Sequence, residues 1–177
     1  RKTPGNTVSN LSSTRALRDV TNIHKRQYEA SAVGEVNVVD KMKATNAIIG
    51  GEGNGGVIYP ELHYGRDALI GVALFLTQLA ERKISVKTLR DTFPNYFISK
   101  NKMELTPETD VDKILSTLAK KYQNEQITTI DGLKIDFKEG WIHLRKSNTE
   151  PIIRIYAESD GDEQANAFAQ NMIQEIK

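Results

Sequence analysis

The chain of 177 residues carries 24 Lys and Arg against 23 Asp and Glu, a formal charge of +1, with 38% hydrophobic residues. That length fits one domain or two small ones of under about 100 residues each, and the apolar share supports a packed core and argues against global disorder. The near-neutral balance lacks the basic excess of a nucleic-acid binder; the absence of cysteine excludes disulfides and thiolate chemistry; and the longest apolar run, around residues 69–79, is short of the roughly 20 residues a membrane helix needs.

The chain begins Arg-Lys-Thr-Pro-Gly, with no initiator Met and no apolar signal core. It reads as a chain entered partway through a longer one, with a processed N-terminus as the competing explanation. Residues 7–11 are a strand candidate. Ser12 and Ser13 then offer an N-cap for a helix carrying Leu17, Val20 and Ile23 at helical spacing. Residues 28–33 form a second strand, Gly34 ends it, and a helix through Val38 and Met42 leads to a third strand at 47–49. Strand, helix, strand, helix, strand at this spacing predicts a parallel sheet with crossover helices.

The third strand runs into Gly-Gly-Glu-Gly-Asn-Gly-Gly, residues 50–56. Ligands of open α/β sheets bind beyond the carboxyl ends of the strands, and glycine lets a ligand approach the backbone closely. Glu52 and Asn54 are the side chains on offer, a carboxylate that accepts from hydroxyls and an amide that donates and accepts. Gly51, Gly53 and Gly56 also satisfy Gly-x-Gly-x-x-Gly. That fingerprint needs a helix opening directly after the loop, whereas Val57 to Pro60 continue in an extended pattern. A flexible surface loop is the third possibility. Beyond it Asp67 caps an apolar helix over residues 68–79, apolar nearly all round and therefore expected to be buried. Arg66 is either a ligand residue or a surface residue, and His63 has no identifiable partner. Ser85 caps a short helix that Pro94 stops.

Residues 96–98 look strand-like, and 99–105 are polar without clear periodicity. The division is placed there, into domains 1–98 and 99–177, with 99–105 as a hinge. Thr106 with Pro107 predicts a helix start, and Val111, Ile114, Leu115, Leu118 and Tyr122 form its apolar stripe. A meander follows: 127–130, a turn at Asp131-Gly132, 133–137 with alternate residues apolar, a turn at Glu139-Gly140, 141–144, and a fourth strand at 152–157. A final helix carries Ala165, Phe168, Ala169, Met172, Ile173 and Ile176 on one face, capped by Asp160 or Asp162. The expected fold is a parallel-sheet α/β domain followed by a small α+β domain whose antiparallel sheet is flanked by helices.

Between the last two strands lies Arg145-Lys146-Ser147-Asn148-Thr149-Glu150-Pro151-Ile152-Ile153-Arg154. A guanidinium is a planar fork of donors that fits a phosphate or carboxylate bidentately. Hydroxyls, an amide and backbone N–H groups in a tight loop fill the remaining oxygens. The stretch reads as a pocket for a phosphate monoester; an ordinary connection with two surface arginines is the plain alternative.

This stretch resembles the phosphate-binding loop of the α-D-phosphohexomutases, a family of phosphoglucomutases, phosphomannomutases and phosphoglucosamine mutases. Gly51 to Gly56 resembles their sugar-binding loop, and Val33-Gly34-Glu35 a short segment of their third domain. The likeness spans essentially the whole chain, as the third and fourth of four domains. It implies that Arg145, Ser147, Asn148, Thr149 and Arg154 grip the phosphate that does not react, and that Glu52 and Asn54, with Gly51 and Gly53, hold sugar hydroxyls. It also implies a cytoplasmic enzyme that moves a phosphoryl group on a hexose or hexosamine phosphate by way of a phosphoserine, with Mg²⁺ held by aspartates. No Thr-Ala-Ser-His-Asn-Pro-like serine loop and no Asp-x-Asp-x-Asp-Arg metal loop occurs here. The resemblance therefore implies the C-terminal half of a mutase, inactive alone and partnered by the N-terminal half of the same polypeptide, with no nucleic-acid or membrane partner. Many relatives carry Ser and a final His where this chain has Asn54 and Gly56; glucosamine phosphate is the leading substrate, with mannose and glucose phosphates behind it. Two other classes stay open: a non-catalytic nucleotide-binding module using the glycine loop, and a structural pair of domains with a protein partner.

Overall fold

The computed structural model describes residues 3–147 and 149–176. The chain divides into two compact units, residues 1–95 and 96–177.

In the first unit β1 (Thr7–Asn10) pairs in parallel with β2 (Tyr28–Ser31) on one side and β3 (Ile49–Gly51) on the other. The helices α1 (Ala16–Ile23) and α2 (Glu35–Thr45) make the crossovers. These three strands are parallel, as expected, and the sheet then continues beyond them. β4 (Val57–Tyr59) and β5 (His63–Arg66) extend it antiparallel, in the order β2-β1-β3-β4-β5. The reason is length: five residues separate β3 from β4, and a parallel return needs a crossover of a dozen or more. An antiparallel margin on a parallel sheet is a common solution.

The core here is Val8, Val38, Val39, Met42, Ala47 and Ile58. Gly50 lets α2 close onto β3, since a Cβ there would lie 2.3 Å from the Met42 sulfur. Asn46, in the left-handed region, ends α2. Ser12 and Ser13 do not cap α1 as the sequence suggested. Its N-cap position is Arg15, without a side-chain cap bond, and the loop before it is organised by Asn10.

Asp67 caps α3 (Ala68–Arg82) as expected, with Oδ1 accepting from the Leu69 and Ile70 N–H groups at 2.8 and 3.0 Å. Burial of this helix does not follow. None of its residues is buried, and Leu69 is 81% exposed, with Val72, Phe75 and Leu76 exposed beside it. The helix meets the sheet at β4, where Gly71 lies against Val57. A helix apolar on every side needs cover on every side, and the margin of a sheet covers only one. α4 (Val86–Arg90) follows, capped by Ser85 and held by buried Leu89.

In the second unit β6 (Phe97–Glu104), α5 (Val111–Lys121), β7 (Gln126–Thr128), β8 (Leu133–Asp136), β9 (Gly140–Lys146), β10 (Ile152–Ser159) and α6 (Asp162–Glu175) follow in order. The sheet is wholly antiparallel, β6-β10-β9-β8-β7. Residues 99–105, expected to be a hinge, belong mostly to β6, which pairs with β10 from Phe97 to Glu104. The strand was hidden because part of its inner face is polar. Ser99 donates to Asn166 at 2.6 Å, and Gln170 donates to Asn101 at 3.3 Å, so α6 supplies hydrogen bonds where apolar packing would be expected. Lysines on the other face suit an edge strand.

The start of α5 also moves. Thr106 to Thr109 make a turn, and Asp110 is the cap, accepting from the Lys113 N–H at 3.0 Å. α6 begins after Gly161 with no side-chain cap from Asp160 or Asp162. Leu133, Ile135, Ile142, Leu144, Ile153, Ile155 and Ala157 pack against Val111, Leu118, Ala169, Met172 and Ile173. The single tryptophan, Trp141, is buried on β9 and reports on this unit alone. Replacing fully buried Ile155 by Ala is expected to cost about 2–5 kcal/mol, read as a lower urea midpoint in Trp141 fluorescence.

Candidate functional site

Each unit presents one loop of chemical interest. In the second unit Arg145 on β9 and Arg154 on β10 are direct cross-strand partners. Like charges placed opposite each other repel, and each guanidinium has its own carboxylate. Arg145 Nε lies 3.2 Å from both Asp131 oxygens, and Arg154 Nη2 lies 2.9 Å from Glu150 Oε2. Asp131 stands at the β7–β8 turn, where Gly132 adopts φ 69°. A Cβ on Gly132 would fall 2.1 Å from the Leu144 carbonyl oxygen, so the turn passes tight against β9 and brings Asp131 to Arg145.

The connection between the arginines is short and closed. Ser147 N–H donates to the Ile152 carbonyl at 2.9 Å, and Ile152 N–H to the Glu150 carbonyl at 2.8 Å. Ser147 is buried at the loop's base, its Oγ 3.5 Å from Thr149 Oγ1, while Thr149 is exposed. Asn148 lies outside the described residues. The strand pairing thus brings Arg145, Ser147, Thr149 and Arg154 into one neighbourhood.

His143, two residues before Arg145 on β9, hydrogen-bonds through Nε2 to the Asp131 carbonyl at 2.7 Å. Burial pushes its pKa down to about 4, with Lys134 and Arg145 adding to the fall and Asp131 opposing it.

In the first unit the glycine loop is a β3–β4 hairpin. Glu52 N–H donates to the Gly56 carbonyl, Gly55 N–H to the Glu52 carbonyl, and Gly55 takes φ 90°. Gly56 N–H donates to Asn54 Oδ1 at 3.0 Å. A Cβ on Gly53 would sit 3.1 Å from the Ser12 carbonyl oxygen, so the hairpin rests on the loop after β1. The chain enters β4 and not a helix, as the extended pattern after the loop implied, so Gly51, Gly53 and Gly56 present no helix N-terminus to a pyrophosphate. A cleft of about 250 Å³ opens here, lined by Ser9, Ser13, Leu17, Ile49, Val57 and the glycines.

Glu52 is held from several sides. Oε1 accepts from Asn10 Nδ2 at 3.0 Å and from Gly34 N–H at 3.2 Å; Oε2 faces Arg66 Nη1 at 3.5 Å. Arg66 Nε donates to Glu35 Oε2 at 2.7 Å, and its backbone N–H to Glu35 Oε1 at 3.2 Å. These bonds hold the Glu35 carboxyl below its ordinary range and raise the Arg66 guanidinium above its own. His63 is tied to Asp67 at 3.1 Å. Asn10 was not expected from sequence, although it ends β1 at the carboxyl edge where ligands of such sheets gather. Glu35 belongs to the short segment already noted for its resemblance. Among the described residues no group of three or more His, Cys, Asp and Glu could hold a metal ion.

Residues 1–96 match the family description "Phosphoglucomutase/phosphomannomutase, alpha/beta/alpha domain III", and residues 101–175 match that family's C-terminal domain. The chain belongs to the phosphoglucomutase/phosphomannomutase family. It is 36% identical over 172 residues to the phosphoglucosamine/phosphogalactosamine mutase of Sulfurisphaera tokodaii, covering 96% of this chain and 37% of that one. A phosphoglucomutase/phosphomannomutase from Thermococcus kodakarensis is 32% identical over 163 residues, covering 91% and 35%. Among solved structures, a phosphoglucomutase/phosphomannomutase family protein from Burkholderia thailandensis superposes with a TM-score of 0.79 at 26% identity, covering 98% and 37%. The chain spans little more than a third of the length of these family members.

The unfolded imidazole titrates near 6.5, and in the folded chain burial pushes that of His143 down to about 4. The unfolded state therefore binds more protons between those values, and stability present above pH 6.5 is lost as pH falls toward 4. The melting temperature of the Trp141 transition is expected to drop between pH 7 and pH 5, and His143→Gln to reduce that drop.

Proposed function

We propose that this chain is the sugar- and phosphate-binding half of a phosphohexomutase, which moves a phosphoryl group between C6 and C1 of a hexose or hexosamine phosphate. The observation that carries the reading is the cross-strand placement of Arg145 and Arg154 at the mouth of the loop 147–151. Two guanidiniums held side by side by separate carboxylates are ready for a dianion. A phosphate competes with Glu150 for Arg154 Nη2 and takes donors from Ser147, Asn148 and Thr149. Glu52 and Asn54 take sugar hydroxyls in the first unit.

In this reading the loops bind and orient, and the phosphoserine that exchanges the phosphoryl group lies elsewhere in the same polypeptide. Phosphoryl transfer relies largely on positioning and on neutralising phosphate charge. Mg²⁺ in the whole enzyme neutralises phosphate charge and is held by residues outside this chain. These 177 residues alone hold substrate without turning it over. A hexosamine phosphate is the preferred substrate, supported by the name of the Sulfurisphaera tokodaii relative.

Calorimetric titration with glucosamine 6-phosphate tests the reading. Arg145→Ala or Arg154→Ala is expected to lose about 1.5–3 kcal/mol each, as for a hydrogen bond to a charged group. That corresponds to roughly 10- to 150-fold weaker binding. Unchanged affinity in both variants defeats the assignment.

A further inference from the structure

Position 56 is glycine, and its missing side chain has left a space. A Cβ placed there would lie 2.5 Å from Arg66 Cδ and 3.0 Å from Arg66 Cγ. The arginine stem from the end of β5 therefore lies over the glycine loop where a side chain at 56 would have stood. Its head is anchored at two of its three nitrogens: Nε bonds Glu35, and Nη1 faces Glu52. Among the described residues Nη2 has no hydrogen-bond partner, and the side chain is 47% exposed.

The geometry points to Arg66 as the charged residue that reads the sugar at this loop, in place of a side chain at position 56, acting on ring hydroxyls together with Glu52. This rests on the sugar-loop reading above and deepens it. The decisive distance is the 3.5 Å between Arg66 Nη1 and Glu52 Oε2. It exceeds a good N–H···O bond, so an N–H and a carboxylate lone pair remain incompletely used beside each other. A sugar hydroxyl donates once and accepts twice. Lying to one side of the pair, it bridges them, donating to Oε2 and accepting from the guanidinium. The free Nη2 reaches an adjacent hydroxyl oxygen, as the planar fork of donors allows. Glu52 alone is poorly placed to read a sugar, being only 6% exposed, with its other oxygen taken by Asn10 and Gly34. Glu35 keeps the arginine over the loop.

The test uses the ¹⁵N-labelled chain titrated with glucosamine 6-phosphate, and separately with inorganic phosphate, following the amide signals of Gly53, Gly55 and Gly56. In the wild type these signals move with the sugar phosphate and not with inorganic phosphate. Arg66→Met is expected to weaken the sugar response at least tenfold while the response of Ser147 and Thr149 to inorganic phosphate persists. Gly56→Ala, which displaces the arginine stem without removing it, weakens the sugar response as well and guards against a folding artefact in the first variant. A wild-type titration in Arg66→Met overturns the inference; if Glu52→Gln then loses the response, the sugar-loop reading survives without it. Glycine-loop signals that stay still in the wild type overturn both.

Discussion

A charge withdrawn from water must be met by partners, and each unit is arranged around that requirement. In the first unit the demanding group is the Glu52 carboxylate. It sits on the hairpin between a parallel and an antiparallel strand, and it is satisfied only because three other segments converge on it: Asn10 from the end of β1, Gly34 from the start of α2, Arg66 from the end of β5. In the second unit the demanding groups are two arginines forced opposite each other by the β9–β10 register. They are compatible only because Asp131 and Glu150 come from separate turns to separate them electrostatically. Glu52 is thus held by groups brought from a distance in sequence, and Arg145 by Asp131 from the preceding turn, whereas Arg154 takes its partner, Glu150, from the loop itself.

The same fact explains what the sequence disclosed. Local rules worked where the cause was local. The Asp131-Gly132 turn, the cap at Asp67 and the periodicity of α6 are each set by neighbours in the chain, and the structure has them in place; the alternation of 133–137 does not leave an open face, since Lys134 is buried over Trp141. Both candidate loops stood out because their residue types are unusual for ordinary turns. Asn10 did not stand out. Its importance comes from a partner 42 residues away, and an asparagine at a strand end is otherwise unremarkable turn chemistry.

The failures have physical causes as well. Only the start of β6 was legible, because an edge strand can satisfy its inner face with hydrogen bonds from a helix, and a period-two apolar signal is then weak. The helix at 111 was started early because Thr106-Pro107 is a good start signal and Asp110 a better one four residues later. α3 was expected to be buried because composition reports how apolar a helix is and not how much of the molecule is available to cover it. Its exposed stripe of Leu69, Val72 and Leu76 is a property of where the sheet ends.

One feature of the second sheet bears on the order of events during synthesis. β10 is the last strand made, yet it lies between β6, the first made, and β9. Until the ribosome has released residues up to Ser159, β6 and β9 each keep an open hydrogen-bonding edge, and Arg145 stands without the strand that carries Arg154. At translation rates of about 5–20 residues per second that interval lasts seconds, long against hairpin closure in microseconds. The phosphate loop is thus the last loop of this sheet that the growing chain can close, and a chain that stopped before β10 would keep sticky strand edges and no site.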